Sequence, residues 1–211
     1  GLARFDPRTG RAERFTHDPA DPTSLAENTV LSLHVDRSDR LWVGTYRGLS
    51  RLDPGADGFV HFRPDPEDPG SLGNHYVHHV HEEDDGTLWF GTANGLDRLR
   101  PGATTFEHWT TRDGLPNGVI AGVLPGDEGR LWLATQRGLA RLDPATQSLG
   151  VVAHSIRAVG IGTIVALHDE AARRGYHAMT STDEAPLAEA AGYYVRQLAT
   201  GRDLPFRLRI L

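Results

Sequence analysis

The sequence has no cysteine, and all 22 of its basic residues are arginine because lysine is also absent. Without cysteine there is no thiolate nucleophile, no disulfide and no Cys-based zinc site. The compartment stays open, since reducing and oxidising surroundings both tolerate a chain without thiols. Positive charge is in short supply: 28 acidic residues bring the formal net charge to -6, and no local run forms the basic stripe that nucleic-acid binding requires. Long apolar runs are missing too. The longest, Ala158 to Leu167 ("AVGIGTIVAL"), is half of the roughly 20 residues a spanning helix needs, so no membrane segment is expected in this chain. The opening "GLARFDPRTG" lacks a charged leader and an apolar segment; it reads as the middle of a longer array and not as a secretory signal.

What is present is repetition. "DRLWVGTYRGLSRLD" (Asp39 to Asp53), "GTLWFGTANGLDRLR" (Gly86 to Arg100) and "GRLWLATQRGLARLD" (Gly129 to Asp143) are near-copies. A Gly-Leu-x-Arg element starts at Gly1, Gly48, Gly95 and Gly138, at spacings of 47, 47 and 43, and Trp42, Trp89 and Trp132 keep the same beat. A period in the forties with one tryptophan per unit points to four-stranded propeller blades, with helical repeats as the competitor. Strand chemistry decides between them, because apolar stretches of five to seven residues alternate with turn residues and none is long enough for a stable helix.

The first complete unit is expected to run as strands Asn28–Val35, Arg40–Thr45, Gly48–Asp53 and Gly58–Phe62. The second runs His75–Glu82, Thr87–Thr92, Gly95–Arg100 and Thr104–His108; the third Gly118–Leu124, Arg130–Thr135, Gly138–Asp143 and Gln147–Val152. Residues 1–15 supply the last two strands of a preceding blade. The hairpins place glycine where a positive φ is wanted, and Asp39 stands where the other units have Gly86 and Gly129. Each tryptophan is expected to pack between neighbouring blades. The fold class is therefore mainly β, a partial β-propeller of about three and a half four-stranded antiparallel blades over residues 1–152, with repeats ending near 53, 100 and 143.

These residues resemble the two-component regulator propeller repeat, on Asn28-Thr29-Val30, Leu41-Trp42-Val43-Gly44-Thr45 and Gly48-Leu49-Ser50-Arg51-Leu52-Asp53 and their later copies. The linkers "DPADPTSLAEN", "DPEDPGSLGN" and "DGLPNGV" are similar as well. Ala134 departs from the glycine of the Trp-Ile-Gly-Thr motif, and His75 and Gly118 stand at the position of Asn28. The resemblance covers about residues 1–150. It implies the sensor region of a bacterial signalling receptor, periplasmic, ahead of a membrane span and an output module. No cofactor is expected from the sequence. A closed propeller needs four to eight blades, so the outer faces of this array require further blades, copies of the chain, or the tail to cover them.

Meandering strands put the long linkers and the second hairpin turn of every blade at one end, where binding residues concentrate on a rigid scaffold. Asn28, Tyr46, Arg47, Asn74, His75, Asn94, Asn117, Gln136 and Arg137 are the candidates there, suited to a small polar ligand such as a carbohydrate; turn geometry alone also accounts for each asparagine. In "NHYVHHVHEEDD" strict alternation would put His75, Val77, His79 and His81 on one side, so that His75, His79 and His81 are candidate metal ligands, against the plainer reading of solvated channel histidines.

After about Val152 the rhythm stops. Residues 153–211 read as a small α/β segment: a helix over "IGTIVALHDEAARRG" ending at Gly175, a second over "STDEAPLAEAAGYYVRQLATG", and a closing strand "PFRLRIL". Three functions are compatible with the sequence: a non-catalytic ligand-sensing or interaction module, a structural protein-binding scaffold, and an enzyme with its chemistry in the tail.

Overall fold

The computed structural model describes residues 1–154 and 176–178. Three four-stranded antiparallel sheets follow one another along the chain, each a simple meander. Blade 1 comprises β3 (Val30–Val35), β4 (Leu41–Thr45), β5 (Gly48–Leu52) and β6 (Val60–Phe62). Blade 2 comprises β7 (Val77–Glu82), β8 (Leu88–Thr92), β9 (Gly95–Leu99) and β10 (Glu107–Trp109), and blade 3 comprises β11 (Ile120–Pro125), β12 (Leu131–Thr135), β13 (Gly138–Asp143) and β14 (Ser148–His154). Ahead of them β1 (Leu2–Asp6) and β2 (Arg11–Phe15) form half a blade. The short strand β15 (Tyr176–Ala178) pairs antiparallel with the free edge of β1, a strand that the helical spacing of this region did not announce. The expected helices over 161–175 and 181–201 and the strand at 205–211 lie outside the described residues. The architecture is a mainly β partial propeller, as the repeat required.

The two-residue alternation of each strand sorts its side chains between two neighbours. In β4 the buried Leu41 and Val43 point back into a core with Leu2, Leu25, Leu33 and Phe59, while Trp42 points forward into a second core with Val77, Val80, Leu88 and Phe90 of blade 2. The same division recurs one repeat later, where Trp89 packs among Ile120, Val123, Leu131 and Leu133 of blade 3. Trp42 and Trp89 are 0% exposed. The linkers contribute one plug to each core, Leu25, Leu72 and Leu115, all buried.

The repeated arginine of Gly-Leu-x-Arg is explained by register. Trp42 lies opposite Arg51, Trp89 opposite Arg98 and Trp132 opposite Arg141. Each guanidinium sits over the neighbouring indole, at 5.6, 5.2 and 5.9 Å from the ring centroid respectively. Arg98 is also 4.9 Å from the centroid of the Trp109 ring and pairs with Glu107, which makes a buried cation tolerable. The indole N–H of Trp42 donates to Asp36 Oδ2 at 2.7 Å, and that of Trp89 to Glu83 Oε2 at 2.7 Å, so neither buried donor is left without an acceptor. Burial pushes the Asp36 carboxyl upward, but the bonds from Trp42 and from the backbone and side chain of Arg40 outweigh it and hold the group below its ordinary value.

Blade 3 keeps the tryptophan and its arginine but differs from blades 1 and 2 at several other positions that meet a following blade. Ser32 Oγ donates to Val77 O at 3.1 Å and His79 Nδ1 accepts from Val123 N at 3.0 Å, each tying one inner strand to the next; Gly122 stands at that position in blade 3. Asp36 and Glu83 are replaced by Gly126, and the half-buried His34 and His81 by Leu124. Ala134 replaces a glycine that blades 1 and 2 need. A Cβ on Gly44 would stand 2.4 Å from Val77 O, and one on Gly91 would stand 2.8 Å from Ile120 O. Trp132 is half-buried, and Leu124 and Val151 are 39% and 38% exposed.

Candidate functional site

The end of the blades that carries the linkers is built by backbone hydrogen bonds between each second hairpin turn and the linkers beside it. Gly48 N donates to His75 O at 2.7 Å, Ala93 N to Tyr76 O at 3.1 Å and Gln136 N to Val119 O at 3.3 Å. The turn of blade 1, Tyr46 and Arg47, is thereby brought against Asn74, His75 and Tyr76. The turn of blade 2, which carries Asn94, lies beside Tyr76 and Gly118. The turns themselves are fixed from within: Thr45, Thr92 and Thr135 Oγ1 accept from Arg47, Asn94 and Arg137 N and donate to the carbonyls of Gly48, Gly95 and Gly138.

Of the residues singled out from the sequence, Asn28, Tyr46, Arg47, His75, Asn94, Gln136 and Arg137 are exposed, whereas Asn74 and Asn117 are half-buried. The structure brings Tyr46, Arg47, Asn74 and His75 together between blades 1 and 2; Asn28 belongs to the preceding linker, and Gln136 and Arg137 to blade 3. The side-chain oxygens of Asn74 and Asn117 accept from Tyr76 N and Val119 N, both at 2.9 Å, and that of Asn28 from His17 N at 2.9 Å. All three thus shape their own loops. The residue that sequence reasoning missed is Tyr76. Its ring stands 5.2 Å from that of Tyr46 in an edge-to-face pair, and the two are 45% and 47% exposed. Its only signal in the sequence was an aromatic one residue after His75, inside the expected strand His75–Glu82; the strand begins only at Val77, which leaves Tyr76 on the loop.

The histidine stretch is arranged by a β-bulge. The register between β7 and β8 shifts between Val77 and His79, so His78 is an extra residue and Val77 and Val80 both enter the core shared with blade 1. His79 and His81 therefore face away from Val77, which corrects the strict alternation read from the sequence. His79 is buried, with Nδ1 accepting from Val123 N. Burial, reinforced by the neighbouring His34, lowers His81 to about 4, so it is neutral in ordinary buffers. His75 lies out on the loop. No group of three or more histidines and carboxylates is gathered for a metal ion among the described residues.

Farther out on the same end, the linkers fold against the outer strands. Asp18 N donates to Ser24 Oγ and Asp65 N to Ser71 Oγ, and Thr23 O and Gly70 O accept from Phe59 N and Phe106 N, so both Asp-Pro-x-Asp-Pro segments close into the same loop. His108 bolts the second loop down, its Nδ1 2.8 Å from Asp97 Oδ1 and its Nε2 3.1 Å from Pro69 O. The bond to Asp97 raises the His108 pKa against the opposing effect of burial. A pKa raised on folding contributes stability that is complete below the unfolded value and is lost as the pH climbs through the folded one. The unfolding temperature of the wild type is accordingly expected to fall more steeply than that of His108→Gln as the pH rises above about 6.5. Parallel slopes would remove the ion pair from the account.

The described architecture is a segment of β-propeller. The family of the two component regulator propeller matches residues 24–47 and 71–94, the linker, first two strands and turn of blades 1 and 2. Among solved structures the chain is similar to the extracellular domain of a hybrid two component system from B. thetaiotaomicron, at 25% identity and a TM-score of 0.61, with 71% of this chain matched to 20% of that one. It is also similar to the extracellular domain of a one component system from the same organism, at 20% identity and a TM-score of 0.59, over 72% of this chain and 22% of that one. A third similar fold is a streptogramin B lyase, at 20% identity and a TM-score of 0.51, over 70% of this chain and 46% of that one. This chain spans about a fifth of the length of the first two. Comparison with curated proteins gives no match.

Proposed function

We propose that the chain is a ligand-sensing part of a bacterial signal-transduction receptor, exposed outside the cytoplasmic membrane, and that it binds without catalysing a reaction. The similar extracellular domains of two component and one component systems support this reading; the lyase likeness supports the fold alone. No helix among the described residues is long and apolar enough to cross a membrane.

The observation that carries the proposal is the exposed Tyr46–Tyr76 pair beside Arg47, Asn74 and His75. Two aromatic faces among hydrogen-bonding groups suit a small polar ligand with apolar C–H faces, such as a carbohydrate. Because Tyr46 belongs to blade 1 and Tyr76 leads into blade 2, a ligand gripping both would favour one relative position of the blades, which is the differential affinity that signalling requires. Calorimetric titration with a panel of mono- and oligosaccharides tests it. Tyr46→Ala or Tyr76→Ala is expected to weaken binding at least about tenfold, the size of effect typical of a central aromatic contact, with unfolding temperature little changed. A bound sugar indifferent to both substitutions would overturn the assignment.

The far side of blade 3, open among the described residues, favours a second role, contact with further chain, either more blades or another copy. Leu124 and Trp132, directly opposite one another in the sheet, offer the apolar surface. Ala134 requires the covering backbone to stand farther off than Val77 and Ile120 stand from Gly44 and Gly91.

A further inference from the structure

One cavity lies apart from the tyrosine pair, in the crook between the first linker and the outer strand of blade 1. It measures about 240 Å³ and is lined by His17, Asp18, Asp21, Ser24, His61 and Arg63 together with two linker prolines. Arg63 is exposed, and its guanidinium makes no hydrogen bond or ion pair among the described residues. The carboxylates nearby are engaged in their own turn: Asp18 Oδ1 accepts from Ala20 N at 2.9 Å, and Asp21 Oδ1 from Thr23 N at 2.9 Å and Thr23 Oγ1 at 2.7 Å. His17 Nδ1 donates to Leu25 O at 2.8 Å.

Blade 2 provides an internal comparison. At the matching positions His108 meets the carboxylate of Asp97, and Thr110 replaces Arg63 and caps its own turn with Asp113. In blade 1 the acid is gone: His61 Nδ1 lies 3.0 Å from Ser50 Oγ. Burial lowers the His61 pKa, and the charges of Arg63 and His17 lower it further. One crook therefore holds a carboxylate against its histidine, whereas the other has a serine at that place and an arginine at its rim, beside Asp18 and Asp21 whose Oδ1 atoms are bonded within their own turn.

We infer that the crook of blade 1 is a binding site for a small oxyanion, the carboxylate or sulfate group of a monosaccharide-sized molecule, with Arg63 in direct contact and His17 and His61 flanking it. A planar guanidinium that presents several N–H donors is suited to such groups. This site is separate from the tyrosine pair and does not depend on it.

The test is NMR titration of the full chain, following the His17 and His61 ring resonances at fixed ionic strength, with sodium sulfate, glucuronate and, as the neutral control, glucose. Saturable shifts with either anion and none with glucose are expected; sulfate alone or glucuronate alone would assign the site to sulfate esters or to sugar acids. Arg63→Ala is expected to lose at least about tenfold in affinity while unfolding at the wild-type temperature. Ser50→Asp, which supplies the internal carboxylate of blade 2, is expected to suppress binding as well, whereas Tyr46→Ala leaves it intact. Shifts that grow linearly without saturating, a response to glucose equal to that to glucuronate, or wild-type binding by Arg63→Ala would overturn the inference.

Discussion

Replacing Trp42 or Trp89 by alanine is expected to destabilise the protein by about 3–5 kcal/mol, whereas the same change at Trp132 is expected to cost under about 2 kcal/mol. The three residues occupy one position of one repeat, so local sequence does not separate them. What differs is the neighbour. Trp42 and Trp89 are fully enclosed, each with an indole N–H bonded to an acid and an arginine over the ring. Truncation there empties a core shared by two blades and strands the carboxylate of Asp36 or Glu83 beside the cavity. Trp132 is half-buried, with Gly126 in place of the acid and Arg141 over its ring, so removing it opens no enclosed void. Chemical denaturation of the three variants reads the difference as midpoint shifts at a common slope. Equal losses at all three sites would mean that the blades do not pack as described.

Gly44→Ala is expected to cost about 1–3 kcal/mol, against about 0.5–1 kcal/mol for the reverse change Ala134→Gly. The added methyl at 44 would sit 2.2 Å from Ser32 Oγ and 2.4 Å from Val77 O. The hydroxyl can rotate away only by giving up its bond to Val77 O, and the carbonyl belongs to the inner strand of blade 2, which must then move outward with its sheet. At position 134 a methyl is already present, and the change to glycine only adds backbone freedom to the unfolded chain. Thermal unfolding of both variants checks the pair; a harmless Gly44→Ala would show that the inner strands stand farther apart.

The repeat was legible because its causes are local. Tryptophans at a fixed beat, the Gly-Leu-x-Arg hairpin and the turn glycines each report one short-range requirement, and Asp39 does adopt the positive φ of 60° that its place in the first turn demanded. Strand β6 begins two residues later than expected and β10 three, because the loops that precede them are held by the linkers. The bulge at His78 was not legible. It depends on Val77 and Val80 both seeking the core of the preceding blade, a demand made by a neighbour 35 or more residues away in the chain. The same holds for the candidate site. The loops were placed correctly at one end, but which residues meet is decided by the bonds from Gly48 to His75 and from Ala93 to Tyr76, and no pattern within a single repeat foretells the tyrosine pair. The replacements at 122, 124, 126 and 134 looked like scattered drift in the sequence; only the stacking shows that they share one side of one blade.

Hydrogen exchange at the indole N–H groups tests that stacking most directly, since the chain has only four tryptophans and each gives one resolvable signal. Slow exchange at Trp42 and Trp89, governed by opening of the interfaces between blades, with fast exchange at Trp132, is the expected result. Comparable exchange at Trp42, Trp89 and Trp132 would contradict the side-by-side packing of the blades.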